Sequence, residues 1–295
     1  MSGASGLIGS ALTDSLRRDG HVVLRLQRGG ITDGDEIGWD PDEGRIDAPA
    51  LEGVDAVVHL AGEGIAERKW TDEQKRRIRE SRVRGTAVLA GAIASREQKP
   101  AVFVSGSAIG YYGKDRGDET LTEDSGPGTD FLALVCRDWE AETQPAVDAG
   151  VRTILLRTGI VLSKQGGALK QMLLPFKLGL GGRVGSGKQW MSWVSIDDEV
   201  TAIRHAIETT SLAGPVNVTA PNPATNAEFT ETLGRVLHRP TVLPTPLFPL
   251  RLRYGAELID ALLLASQRVT SDKLRASGYD FRHPVLADAF RVLLG

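Results

Sequence analysis

Cysteine is nearly absent from this chain. Cys136 is the single thiol in 295 residues, so no intramolecular disulfide can form, and a reducing, cytoplasmic setting is expected. Aromatic residues make up only 5% of the sequence, and none interleave with its one basic run, Lys75, Arg76, Arg77, Arg79, Arg82 and Arg84. Without such a platform, bases have nothing to stack on, and the run reads as a solvated helix face. A formal net charge of −3 gives no global attraction to DNA, RNA or an acidic membrane. The five histidines show no metal-ligand spacing. No apolar run is long enough to span a bilayer, and nothing at the N-terminus reads as a secretion signal. What is present is 41% hydrophobic residues, enough to bury a large core and too many for a disordered chain.

Glycine is concentrated at the start. Ser2-Gly3-Ala4-Ser5-Gly6-Leu7-Ile8-Gly9 sets three glycines three residues apart, ahead of Ile8, Leu12 and Leu16 at helical spacing. Such a stretch makes a backbone cradle for a dinucleotide pyrophosphate: Gly3 takes a tight turn, Gly6 admits the phosphates, and Gly9 lets the helix pack closely. Amides at the helix N-terminus then point at the phosphates. Apolar, β-branched runs at 21–27, 54–60, 101–105 and 152–162 read as buried parallel strands, with helical patterns at 71–94 and 131–147 between them. This alternation predicts an α/β fold, a Rossmann-type doubly wound parallel sheet over residues 1–165. A smaller C-terminal substrate lobe is expected over 166–295. It opens on a mobile glycine loop anchored by Trp190 and Trp193. A dinucleotide fingerprint follows a buried strand, yet this one begins at residue 2. The first strand is therefore expected to lie upstream or to have been truncated.

The second strand ends in Gln27-Arg28, where NAD-selective folds carry an acid; the first acid here is Asp33. A guanidinium at this position pairs with a 2′-phosphate, which favours NADP(H), although a surface arginine after a strand is the plainer alternative.

His59-Leu60-Ala61-Gly62 after one strand, Arg84-Gly85-Thr86 in the next helix and Ser105-Gly106-Ser107-Ala108 after another strand resemble an extended short-chain dehydrogenase/reductase. Ala61-Gly62-Glu63, Ser81-Arg82, Asp130-Phe131-Leu132, Trp139-Glu140, the stretch 174–182 and Thr225-Asn226-Ala227-Glu228-Phe229 narrow the resemblance to an atypical, epimerase-like branch of the NAD-dependent epimerase/dehydratase superfamily. The matches span nearly the whole chain. The resemblance implies that Gly3, Ser5, Gly6, Leu7, Ile8 and Gly9 hold the pyrophosphate, while Gln27 and Arg28 surround the adenosine phosphate. It further implies that Leu60, Ala61 and Gly62 pass along the cofactor, Arg82 reaches it from the long helix, and Ile160 lies near the nicotinamide. His59 reads as a packed strand-end residue.

Hydride transfer in that superfamily uses a tyrosine as acid/base with a lysine four residues on, because an unperturbed phenol near pKa 10 is a poor base at neutral pH. Four residues beyond Tyr111, Tyr112, Tyr254 and Tyr279 stand Asp115, Arg116, Leu258 and His283, so the pair is absent. Ser107 matches the catalytic serine and either orients a substrate oxygen or braces its loop. Tyr111 or Tyr112 is the candidate proton donor, or else a packed aromatic. Cys136 reads as a small core residue. Arg183 and Lys188, with Trp190 for stacking, are candidates to hold a polar substrate. The expectation is an NADP(H)-dependent oxidoreductase or epimerase acting on a small polar or sugar-like compound. The rival is a catalytically silent NADP(H)-responsive regulator that presents a surface to a protein partner.

Overall fold

The architecture follows from where the apolar strands end. In the computed structural model, which describes residues 1–29 and 34–295, four parallel strands run in the order Ala56–His59, Val102–Ala108, Arg152–Thr158, Gly214–Val218. Val58, Val104, Ile154 and Gly214 stand in one row across them. Successive side chains on a strand face opposite ways. Val57 and Phe103 therefore join Leu89 and Ile93 of the long helix Asp72–Ala94 on one face, whereas Val58 and Val104 join Leu12 and Ile203 on the other. Helices on both faces make this the doubly wound parallel sheet expected.

The strand expected ahead of the fingerprint is represented by Met1 and Ser2. Ser2 N donates to Val58 O at 3.0 Å, and Leu26 N donates to Met1 O at 2.8 Å. Their main chain thus joins Ala56–His59 to the outer strands Arg25–Gln27, Glu36–Asp40 and Arg45–Ile46. The helix Leu7–Arg18 then starts at Gly6 and fully buries Leu12. Asp33 lies outside the described residues.

Two expectations need correction. The run 152–162 is two strands: Gly159 sits so close to a neighbouring segment that a Cβ there would be 2.6 Å from Ser192 O. Past that turn, Ile160–Leu162 leaves the main sheet and pairs with Trp193–Ser195. The pattern 131–147 breaks after the helix Phe131–Ala141, and Pro145 begins a separate short helix, Gln144–Asp148. Contacts also cross the boundary expected at residue 165. The helix Ile196–Glu208 packs beside Leu7–Arg18, and Gly214–Val218 completes the parallel sheet. Conversely, Asp115–Leu121 leaves the first half to pair with Ser266–Val269 near the C-terminus. Its charged sequence gives no periodic signal, so its strand character comes from this distant partner.

Candidate cofactor and active-site cleft

The loops at the carboxyl ends of the parallel strands line a cleft of about 680 Å³. Gly3, Gly6, Leu7, Ile8 and Gly9 form one end of it. Gly3 has φ +66°, and a Cβ there would lie 2.7 Å from Leu60 C; one on Gly9 would lie 2.0 Å from Gly3 O. Only glycine lets this turn close. The first helical turn contains no acid, and its leading amides have no carbonyl of their own helix to bond. An anion fits that cradle, and a pyrophosphate supplies one. Ser5 is exposed beside the turn, outside the cleft lining.

Leu60 continues the wall, with Ala61 and Gly62 beyond it, outside the lining. A Cβ on Gly62 would be 3.0 Å from Arg82 Cζ. Arg82 does turn inward from the long helix. Its Nη1 donates to Glu63 O at 2.9 Å and Ile78 O at 3.1 Å, and its guanidinium lies 5.2 Å from the Trp139 ring centroid. Burial pushes its pKa below the usual range. Neighbouring Arg76, Arg77, Arg79 and Arg84 stay exposed, which separates one functional candidate from an otherwise solvated face. Gln27, which ends the strand Arg25–Gln27, and Arg28 just past it are exposed and off the cleft wall, and Arg28 has no ion-pair partner among the described residues.

At the centre, Ser107, Thr158 and Ile160 line the cleft together. Ser107 Oγ donates to Glu140 Oε1 at 2.6 Å, and Arg157 binds the same carboxylate through Nε and Nη2, both at 2.9 Å. With its proton committed, Ser107 offers lone pairs to the cleft. Behind Thr158 lies an element that sequence reasoning missed: Thr158 Oγ1 donates at 2.8 Å to Glu199 Oε1, and Glu199 Oε2 has no partner among the described residues. Burial raises this carboxyl to about 8, so it is largely protonated at neutral pH. Nothing near Glu199 in sequence marks it, since it sits on the helix Ile196–Glu208 and Thr158 reaches it from the end of the strand Arg152–Thr158.

Tyr111 and Tyr112 fall outside the lining. The Arg157 guanidinium lies 3.5 Å from the Tyr111 ring centroid. Tyr112 is fully buried; its hydroxyl donates to Asn217 Oδ1 at 2.6 Å and accepts from Arg157 Nη1 at 3.1 Å. Burial pushes it up to about 12, away from acid/base work. Leu132, Val135 and Cys136 of Phe131–Ala141, the stretch standing where the tyrosine and lysine are missing, form an apolar wall. Burial raises the Cys136 thiol to about 12, which leaves it neutral. His59 is packed as expected: Ser2 Oγ lies 2.6 Å from its Nδ1, and burial holds its pKa near 3.

Of the second-lobe candidates, Trp190 lines the cleft and donates to Asp118 Oδ1 at 2.9 Å, while Arg183 and Lys188 point to solvent outside it. Trp193 is a core residue, fully buried. The roof was also missed. Helices Leu247–Tyr254 and Ala256–Leu263 bring Leu250, Tyr254, Leu258 and Leu262 over the opening. Proline interruptions before them hide that convergence in the sequence. Among the described residues no group of His, Cys, Asp or Glu is arranged to hold a metal, and no helix is long and apolar enough to cross a membrane.

A parallel sheet wound on both faces, with a glycine turn and an open cleft at its carboxyl edge, defines a Rossmann-fold protein of the short-chain dehydrogenase/reductase type. The NAD dependent epimerase/dehydratase family matches residues 1–218, and a domain of unknown function, DUF1731, matches 245–293. An epimerase family protein of Mycobacterium tuberculosis is 45% identical over 289 residues, covering 98% of this chain and 95% of its own. The crystal structure of the human epimerase family protein SDR39U1 with NADPH aligns with a TM-score of 0.89 at 35% identity, covering 99% of this chain and 97% of that one. A nucleoside-diphosphate sugar epimerase from Corynebacterium glutamicum aligns with a TM-score of 0.83 at 39% identity, over all of this chain and 57% of that one. The chain belongs to the NAD-dependent epimerase/dehydratase family, in its atypical, epimerase-like branch.

Proposed function

We propose that this chain binds NADP(H) and exchanges hydride with a small-molecule carbonyl or alcohol. The observation that carries the reading is the convergence, at one sheet edge, of the glycine cradle with Ser107, Thr158 and Ile160. The human relative crystallised with NADPH supports the choice of coenzyme, as does an exposed Arg28, without an ion-pair partner among the described residues, where NAD-selective folds carry an acid. When bound, the nicotinamide supplies or accepts the hydride. The protein's own part is to hold the phosphates on the helix amides, place the ring beside Ile160 and keep water out with Leu132 and Val135. Ser107, its proton directed to Glu140, accepts a hydrogen bond from a substrate hydroxyl. Thr158 and Glu199 offer an exchangeable proton where the usual tyrosine is absent.

A second reading is a nucleotide-responsive regulator without turnover. It draws on the apolar wall of Leu132, Val135 and Cys136, which holds neither phenol nor ammonium. Calorimetry with NADPH and NADH on the full chain and on Arg28→Ala tests the coenzyme assignment. NADPH is expected to bind more tightly, and the substitution to weaken NADPH by roughly tenfold or more while barely affecting NADH, as loss of a charge-assisted phosphate contact requires. Equal losses for both coenzymes remove the assignment.

A further inference from the structure

The substrate half of the cleft carries a chemical signature that the glycine motif does not. Its roof and far wall are Leu250, Tyr254, Leu258, Leu262, Leu132 and Val135. All of these but Val135 belong to one packed cluster with the buried Trp70 and Ile78, so the apolar lining is a built surface.

Most of the polar side chains that reach the same space are spoken for; among the described residues the Lys114 ammonium and the Gln171 amide, both in the lining, have no side-chain partner. Gln267 Nε2 donates to Ile109 O at 3.0 Å and Gly113 O at 2.7 Å. Asn226 accepts from Val184 N at 2.7 Å through Oδ1 and turns Nδ2 toward Met191 Sδ. Ser192 Oγ donates to Gln267 O and accepts from Val269 N. Asp130 caps its own helix and binds Lys114 N. Trp190, Ser107 and Thr158 give their protons to Asp118, Glu140 and Glu199. Two cations line the cleft, Lys114 and Arg82, and Arg82 is tied to main-chain carbonyls of its own surroundings. Arg183 and Lys188, which a polar substrate would have used, face solvent.

A sugar nucleotide brings a diphosphate and a ring of hydroxyls. Each hydroxyl that enters such a pocket loses water and finds few free partners, a cost that an apolar molecule does not incur. Burying hydrocarbon against leucine side chains is favourable in proportion to the area covered. We propose that the substrate half of the cleft takes an apolar ketone, or the corresponding secondary alcohol, and rejects sugar nucleotides. The carbonyl part of this inference rests on the hydride-transfer reading above; the preference for apolar over sugar-nucleotide ligands rests on the lining alone.

The full chain is titrated with 2-acetylnaphthalene and with UDP-glucose, each with and without saturating NADPH, and binding is followed by calorimetry and tryptophan fluorescence. The ketone is expected to bind about tenfold or more tightly than UDP-glucose in both conditions, the discrimination that apolar pockets ordinarily reach. Leu262→Asn is expected to weaken the ketone by roughly tenfold and to leave NADPH affinity and thermal melting close to the parent, while Leu262→Met retains ketone binding. UDP-glucose binding as tightly as the ketone, no binding of the ketone, or a ketone affinity indifferent to Leu262→Asn overturns the inference. Failure of NADPH alone to bind strikes the coenzyme reading and is scored separately, because the order of the two ligands is also read without NADPH.

Discussion

Glu199 and His59 are two buried titratable groups with opposite consequences for stability. Burial lifts Glu199 to about 8 from an ordinary 4.5, so the folded chain keeps a proton that the unfolded chain releases. Its contribution is fully present below about 4.5 and is lost as the pH rises toward 8. Burial, with cationic Arg82 adding to it, lowers His59 to about 3 from 6.5, so its contribution is present above 6.5 and is lost as the pH falls toward 3. Glu199→Gln keeps an acceptor for Thr158 and removes the ionisation. The variant is expected to melt several degrees above the parent at pH 9 and close to it at pH 4. A variant that melts lower at pH 9 contradicts the assignment. At this scale the sequence was legible where chemistry is local. The inward turn of Arg82 and the packing of His59 followed from motif position. The Thr158–Glu199 pair was not legible, because a hydrogen bond across 41 residues leaves no spacing to read. Arg183 and Lys188 are the complementary case: charge on a glycine loop says nothing about which way the loop faces, and here both side chains are exposed outside the cleft lining.

The elements that were readable are those whose ends carry their own signals. The Thr71 side chain accepts from Gln74 N, and Asp130 accepts from Leu132 N and Ala133 N, so the helices Asp72–Ala94 and Phe131–Ala141 each start where a capping residue precedes an apolar period. Thr225 and Glu228 form a reciprocal capping box at the start of Asn226–Leu237. The strands Glu36–Asp40, Asp115–Leu121 and Ser266–Val269 lack such punctuation; they are partly charged and defined by partners. The fingerprint turn is the most constrained of the local structures. A methyl group at position 9 would meet Gly3 O at 2.0 Å, a main-chain atom that cannot rotate away. Gly9→Ala is therefore expected to abolish NADPH binding in calorimetry and to lower the melting temperature by several degrees, since the helix must shift off the sheet. Wild-type affinity in that variant would show that the turn has room the geometry denies.

For the whole molecule, the alternation of strand and helix gave the parallel sheet, but not the path by which the chain closes it. Gly214–Val218 returns to the sheet after the excursion through the glycine loop, pairing with Arg152–Thr158 from Gly214 to Val218. A fragment ending at residue 165 would expose Arg152–Thr158 as a raw edge and uncover Leu12, which packs in the same cluster as Ile203. Such a fragment is expected to aggregate or to show no cooperative melting, whereas the full chain unfolds as a unit; a soluble, NADPH-binding 1–165 fragment would refute this reading of the topology. The roof has a different implication. Its two helices meet at Gly255, whose φ of +90° makes the corner, and they supply the inward leucines from a segment separate from the phosphate cradle. Substitutions among those few inward residues would accordingly retailor which molecules are admitted without touching the glycine turn of the phosphate cradle.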